Sequence, residues 1–560
     1  MRKLAVASAV LICFASCSKA PETAATNQTS HDAHAPAVPA KRTTLLGNLG
    51  NYHRPIKTTS AEAQQFFDEG LALLYGFNHE ESFKSFERAA TLDPNAPMPH
   101  WGMSLALGTN INDIAPAERL KQGYAHLAEA NQRSANGSAV EQGLIAALGK
   151  RYTADASGDQ MPREQAYSNA MGALSRQFPD DLDVATLYAE SLMNLRPWQL
   201  YKKDGTPAPD TETIVSTLEG VITRNPLHPG ANHYYIHAVE ASSDPGRALP
   251  SAGRLETLVP GAGHLVHMPA HTYIRTGQYA RSAKSNADAA AVDEKYFTAT
   301  SDKTFYATMY YGHNLQFESA AAMFSGNLAQ ARRAAKKTVS LADPVADQMA
   351  MIEPFVAQEL SVLVRFGMWD DVLAAKPPVA TRTVQTALYH FARGAALAGK
   401  GNAAAAAAEL DTLKQAAAKI PKDAMVGSAN TAVDVVAVAA ADLAARVAEA
   451  KGDLRAAIAG FTAAVAAEDH LGYNEPPDWL LPERERLGVV LLKAGRAAEA
   501  EKVFRADLAK NVGNPRSLFG LWKSLETQKK HAAAETRGQF DKAWSDADVT
   551  LGDDLYPERK

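Results

Sequence analysis

A spacing of 34 residues runs through most of this chain and restricts its fold more than any other property. Residues 63–96 place Phe66, Gly70, Ala89 and the pair Asp93-Pro94 at positions 4, 8, 27 and 31–32 of a 34-residue frame. Two stretches with helical apolar spacing lie between those marks. The frame returns from Pro229 (Ala248, Pro260), Gly263 (Gly277, Tyr279, Ala289), Gly312 (Gly326, Ala331) and Ala387 (Gly394, Gly401, Ala406). It returns again from Val438 (Gly452, Ala457, Ala464), Leu481 (Gly488, Gly495, Ala500) and Gly513 (Gly520, Ala532). A helix pair this short cannot bury its apolar face alone, so repeats of this kind stack and share one continuous core. The 560 residues therefore need not be divided into several domains.

These marks resemble the tetratricopeptide repeat. In that family two antiparallel helices pack through small residues at position 8 and near 20 and 27, with glycine near 15 in the turn and proline at 32. The resemblance covers nearly all of 60–545 and implies an all-α superhelix, an α-solenoid of roughly 10–12 helical hairpins. Degenerate pairs are expected over 97–225 and 345–375, with the Pro/Gly-rich stretch 196–210 as an inserted loop. The resemblance further implies that positions 4, 7, 8 and 11 of each first helix pack inward while 2, 5, 9 and 12 line a concave groove. Those last four form a single stripe on a helix of 3.6 residues per turn.

Histidine is locally dense: of 16 in the chain, five lie between His233 and His271. In the frame from Pro229, His233, His237 and Glu240 fall at groove positions 5, 9 and 12. In the frame from Gly263, His264, His267 and His271 fall at 2, 5 and 9, and His313 is position 2 of the frame from Gly312. His233 to His267 and His237 to His271 are each one repeat apart. Imidazoles at i and i+4 sit one turn apart on one face and can chelate a divalent ion, and neighbouring first helices can bring two such pairs together. An all-nitrogen set with an optional carboxylate suits zinc, copper, nickel or iron rather than calcium or magnesium. Pro269 inside this helix is expected to kink or restart it beside the site. A groove-facing histidine can equally be a solvated polar residue or a hydrogen-bonder for a bound peptide.

Other residues read more plainly. Trp198 in the inserted loop can cover the groove as a lid or simply anchor its own loop. Tyr310 and Tyr311 lead into the His313 helix as a wall opposite His264. His79 suits an interhelical hydrogen bond, His228 a structural place at a helix entry, and His390 a core position. The turn Glu475-Pro476-Pro477-Asp478-Trp479 reads as structural.

The amino terminus reads as an address. Met1-Arg2-Lys3 is basic, residues 4–14 are an apolar run, and small residues precede Cys17, which together read as a signal peptide over 1–16. Phe14-Ala15-Ser16-Cys17 resembles a bacterial lipobox, which implies acylation of Cys17, with plain secretion as the alternative. Ser18 in place of aspartate then implies the outer membrane, facing the periplasm. Residues 17–59 are poor in large apolar side chains and are expected to be a flexible tether, with 546–560 as a C-terminal tail. Cys13 and Cys17 are the only cysteines, so everything beyond position 17 excludes disulfides, thiolate nucleophiles and Cys-ligated metals. A formal charge of -5 offers no basic field for nucleic acid.

Taken whole, the chain resembles a class of exported bacterial tetratricopeptide-repeat lipoproteins with a Gly-His-Leu-Val-His-Met-Pro-Ala-His segment, here residues 263–271. The first expectation is an envelope-anchored repeat protein that holds a transition metal (zinc, copper or iron) in its groove, as a scaffold or metal-handling component. The second is a metalloenzyme, a hydrolase with Glu240 as general base or an oxidase or oxygenase. The third is a metal-free module whose groove binds a protein or peptide partner.

Overall fold

Alternation of apolar stripes with short capped turns gives a chain built almost wholly of helical hairpins. The computed structural model describes residues 43–300, 305–347, 350–427 and 429–558, so the signal peptide and Cys17 lie outside the described residues. Among the described residues there are 26 α-helices. Two first helices are each broken once, Gly263–His267 from Pro269–Arg275 and Glu353–Val356 from Gln358–Arg365, and consecutive pairing then gives twelve hairpins. The only strands among the described residues are Met425–Val426 and Asn430–Thr431. The described chain is an all-α solenoid of stacked helical hairpins. The interval 97–225 holds three further pairs: Pro97–Ala106 with Ala117–Arg133, Ala139–Leu148 with Met161–Gln177, and Leu182–Met193 with Thr211–Arg224. None of the described helices is long and apolar enough to cross a membrane.

Small residues at the helix crossings set the stacking distance. A Cβ added at Gly70 or at Gly102 would lie 2.7 Å from a ring carbon of Phe86, so that ring is clasped between the first helices of two successive hairpins. Phe504 is held in the same way between Gly488 and Gly520, where an added Cβ would come within 2.3 and 2.2 Å. Each ring fills the space the absent side chains leave, which produces the close packing a core needs. The turns follow a second rule. Gly326 and Gly401 adopt left-handed φ values of 81° and 79°, and the next residue, Asn327 or Asn402, caps the second helix by accepting a backbone N–H. In the first hairpin the corresponding turn residue is Phe77, at φ 56°, with Asn78 as the cap.

The described parts of the expected tether and of the C-terminal tail are ordered. Over 43–59 the chain lacks regular structure but is pinned by charge: Arg54 is buried, with its guanidinium 2.8 Å from both Asp181 and Asp183. Asp183 also accepts hydroxyl bonds from Tyr52 and Tyr75, and Asp93 accepts from Thr58 and the Thr59 amide. Polar pairing therefore replaces the apolar burial that this stretch cannot supply. The tail beyond 545 is fixed too: Leu551 and Leu555 are buried, and the Tyr556 hydroxyl accepts from Arg446 at 2.6 Å.

Candidate metal centre

The six histidines sit on four helical pieces. His233 and His237 lie on Pro229–Val239, His264 and His267 on Gly263–His267, His271 on Pro269–Arg275 and His313 on Phe305–Ser325. Pro269 has no amide hydrogen, so the helix restarts at Met268, and the His271 amide bonds back to the Met268 carbonyl at 3.2 Å. The concave face is not open at this level. His233 and His267 are 0% exposed and His237, the most exposed of the five between 233 and 271, is 6% exposed, so the expected groove is filled here. Rings close it: Phe77 stacks on His264 at 5.5 Å and meets His233 edge-on at 4.6 Å. Trp198 meets His237 at 5.4 Å, Tyr310 meets His264 at 4.9 Å, and Phe317 lies 5.4 and 5.1 Å from His267 and His271.

The imidazoles form two triads, His233/His237/His264 and His267/His271/His313, within each of which one ligand-capable nitrogen per ring lies within 4.8 Å of the others. Their outer contacts fix which nitrogen is available. The Nδ1 of His233 lies 2.6 Å from the Tyr75 carbonyl, which can only accept, so Nδ1 carries the proton. The Nδ1 of His267 lies 2.6 Å from Asn286 Oδ1, an amide oriented by its own Nδ2 donating to the Ser282 carbonyl at 2.8 Å. Glu240 accepts from the other two: Oε1 from His237 Nδ1 at 2.8 Å and Oε2 from His271 Nδ1 at 2.5 Å. In four of the six rings the Nδ1 proton is thus committed outward, which turns Nε2 inward and leaves it with a lone pair wherever the ring is neutral.

The inward atoms are crowded. His233 Nε2 lies 3.2 Å from His264 Nε2, and His267 Nε2 lies 2.8 Å from His271 Nε2. Two lone pairs at 2.8 Å repel unless a proton or a metal cation lies between them. Buried His237 Nε2 and His264 Nδ1 have no hydrogen-bond partner, and each such orphan costs about 1–3 kcal/mol in a folded protein. Nitrogens bound to a tetrahedral ion at 2.0–2.1 Å stand about 3.3 Å apart, so small adjustments fit either triad around one ion. The donor set suits a borderline or soft divalent ion.

Electrostatics separate the rings. Burial first, and then the neighbouring imidazoles, hold His233, His264 and His267 well below the ordinary histidine value. Burial also depresses His237, and brings His313 down to about 3. His271 moves the other way: burial lowers it, but the Glu240 carboxylate outweighs that and raises it. Burial alone would lift the Glu240 carboxyl, yet His271 and His237 hold it far below the carboxylate range. Glu240 stands behind both triads, both oxygens occupied by ring N–H groups. It holds those two rings in place and is not placed as a fourth ligand or a free base.

Several contributors were not apparent from the sequence. Tyr473, more than 200 residues downstream, donates to Glu240 Oε2 at 3.3 Å, and Lys203 of the inserted loop donates to the His470 carbonyl. A narrow, partly open pocket lies against the first triad and is lined by His237, Glu240, Tyr473, Trp198 and Arg196 together with apolar side chains. Phe77 did leave a signal, because it occupies the turn position that holds glycine in other repeats. His79 accepts from Asn110 Nδ2 at 3.4 Å, and His228 caps its own helix through Nδ1 at 3.2 Å from the Ala231 amide. His390 is half-buried and pairs with Glu409 at 2.6 Å rather than lying in the core.

No family model matches the chain, and no curated protein matches it. Among solved structures it is similar to the APC/C hetero-tetramer Cut9-Hcn1, at 11% identity over 90% of this chain and 77% of that one, with a TM-score of 0.30. It is similar to the human IFIT1 dimer with PPP-AAAA, at 12% identity over 85% and 89%, TM-score 0.31. It is also similar to the yeast Tom70, at 11% identity over 86% and 98%, TM-score 0.32. Fold and site together describe an α-solenoid of helical hairpins that gathers six histidines, five buried and His313 half-buried, into one cluster.

Proposed function

We propose that the protein holds two transition-metal ions, zinc, copper or iron, one in each histidine triad, as a metal-handling component of the cell envelope. The observation that carries this reading is the tautomer pattern. Four Nδ1 protons are anchored to fixed acceptors, so inward Nε2 lone pairs converge where a folded chain would otherwise avoid them. A shared carboxylate behind both triads supports it, because a buried anion offsets part of the charge of two cations. The acylated Cys17 would tether the solenoid to the outer membrane from the periplasmic side. A partner protein or peptide would find the concave face occupied at the level of the histidines and would have to dock elsewhere along the stack.

The second reading, a metalloenzyme, is favoured by one observation, the pocket that reaches His237 from outside. A three-imidazole site with an open fourth position is the arrangement that catalytic zinc uses. The discriminating experiment is elemental analysis of the untagged protein after dialysis against a weak chelator. Two equivalents of metal per chain are expected, both lost on chelation at low pH. A chain that carries no metal as purified and takes up none from micromolar zinc or copper overturns the reading. The cluster would then be a core network bridged by protons.

A further inference from the structure

The pocket beside the first triad is built from four distant parts of the chain, one of them Ile111 in the loop after Pro97–Ala106. Met193, Arg196, Trp198 and Leu200 come from the inserted loop and the helix before it, His237, Glu240 and Ala241 from the metal-centre hairpin, and Tyr473 from the segment after Leu454–His470. His237, which lines it, has a buried Nε2 that bears a lone pair by its tautomer and has no hydrogen-bond partner. The pocket rim carries Arg196, whose ion-pair partner Asp210 is 3.9 Å away, beyond hydrogen-bond distance, so the guanidinium fork keeps its donors available. Trp198, also in the lining, has φ 60°, a conformation a bulky side chain holds only where its surroundings require it. There it presents its indole edge-on to His237 at 5.4 Å. The remaining walls, Ile111, Met193, Leu200 and Ala241, are apolar.

We infer that this pocket is a binding site for a small organic carboxylate. The Arg196 fork takes the carboxylate, Trp198 and the aliphatic walls hold the apolar body, and the inner end of the ligand meets the open coordination position of the His233/His237/His264 ion. The chemistry of each part points to this class. A planar guanidinium with unspent donors matches a carboxylate through two parallel hydrogen bonds. An apolar sleeve with few polar groups is the usual lining of a small-molecule site. Asp210 is the internal group that the ligand would displace from the neighbourhood of Arg196. Trp198 swings with its loop to admit the ligand. The inference rests on the metal reading for its inner end, and the test keeps the two apart.

The full-length protein is loaded with cobalt, its cobalt content is measured, and benzoate, benzamide and azide are titrated while the visible ligand-field bands are followed. Saturable band shifts with benzoate and azide are expected, with benzamide binding at least about tenfold more weakly than benzoate because it lacks the charge that Arg196 pairs. Arg196→Met should keep the cobalt content of the parent and weaken benzoate about tenfold. Trp198→Ala should keep the cobalt content while changing the benzoate rates of entry and release more than those of azide. Cobalt uptake with no band shift from any probe overturns the inference and leaves the metal reading standing. So does benzoate binding that Arg196→Met leaves unchanged. Failure to take up cobalt at all counts against the metal reading. In that case tryptophan fluorescence of the parent, titrated with benzoate, decides whether the Arg196–Trp198 pocket binds on its own, and an unchanged signal overturns the inference as well.

Discussion

Replacing Glu240 with glutamine tests the centre at the point where its two halves meet. The carboxylate accepts N–H from His237 at 2.8 Å and from His271 at 2.5 Å, one ring from each triad. A glutamine keeps the volume but offers a single carbonyl oxygen and turns an NH₂ toward the other ring, so one of the two Nδ1–H groups must face a donor. That ring escapes by moving its proton to Nε2, which removes its inward lone pair, or by rotating away. Loss of an outer-shell partner of a metal-binding histidine lowers affinity about 10- to 100-fold, equivalent to roughly 1.4–2.7 kcal/mol. The triad whose histidine keeps the carbonyl should fall at the lower end of that range, because it loses only the charge. The assay is competition for zinc against a chromophoric chelator at constant pH, fitted to two sites, with helix content checked by circular dichroism. Two affinities that were similar in the parent should separate in Glu240→Gln. If both stay within about twofold of the parent, Glu240 does not orient the ligands and the tautomer argument fails at its centre.

Four further outcomes follow from other parts of the molecule. The double variant His237→Ala/His271→Ala, which removes one ligand from each triad, should release the bound metal while circular dichroism shows unchanged helix content; retention of metal would place the binding site elsewhere. Gly488→Ala puts a Cβ within 2.3 Å of Phe504 and should cost about 1–3 kcal/mol in thermal unfolding, whereas Gly220→Ala, with nothing within 4 Å, should stabilise by up to about 1 kcal/mol. Asp183 is buried, which alone would raise its carboxyl, but Arg54 and its hydrogen-bond donors hold it far below the ordinary range. A depressed folded value against about 3.9 in the unfolded chain means this stabilisation is complete above about pH 4 and is lost as the pH falls further. Asp183→Asn should therefore flatten the acid limb of the stability curve. Phe77→Gly relieves a left-handed backbone but empties a buried site over the first triad, and should cost about 3–5 kcal/mol in thermal unfolding while speeding metal release to a chelator.

The legible part of this protein is the part that repeats. Position 8 of the repeat must be small because an aromatic ring from the second helix occupies its space, and that constraint reaches the sequence directly as Gly70, Gly488 and Gly520. The six histidines were legible for the same reason, since a stripe one repeat apart lands on adjacent helices. What their Nδ1 atoms bind was not: the Tyr75 carbonyl leaves no trace in a side-chain pattern, and Asn286 is one polar residue among many on its helix. Glu240 was read as a ligand because it shares the histidine stripe, but a carboxylate three residues beyond His237 meets the near side of that ring, Nδ1, and not the nitrogen that points inward. The order of 43–59 was hidden because polar pairing across more than a hundred residues has no local signature.

Tyr473 gives the site a chronology. A stack in which units lean mainly on their neighbours can be put together in the order it is synthesised. By the time the helix Phe305–Ser325 has formed, all six imidazoles are present, yet the hydroxyl that reaches Glu240 still lies some 150 residues further along the chain. The last wall of the vestibule is therefore laid long after its floor, and a chain cut short before position 473 would keep every imidazole while lacking the roof above them.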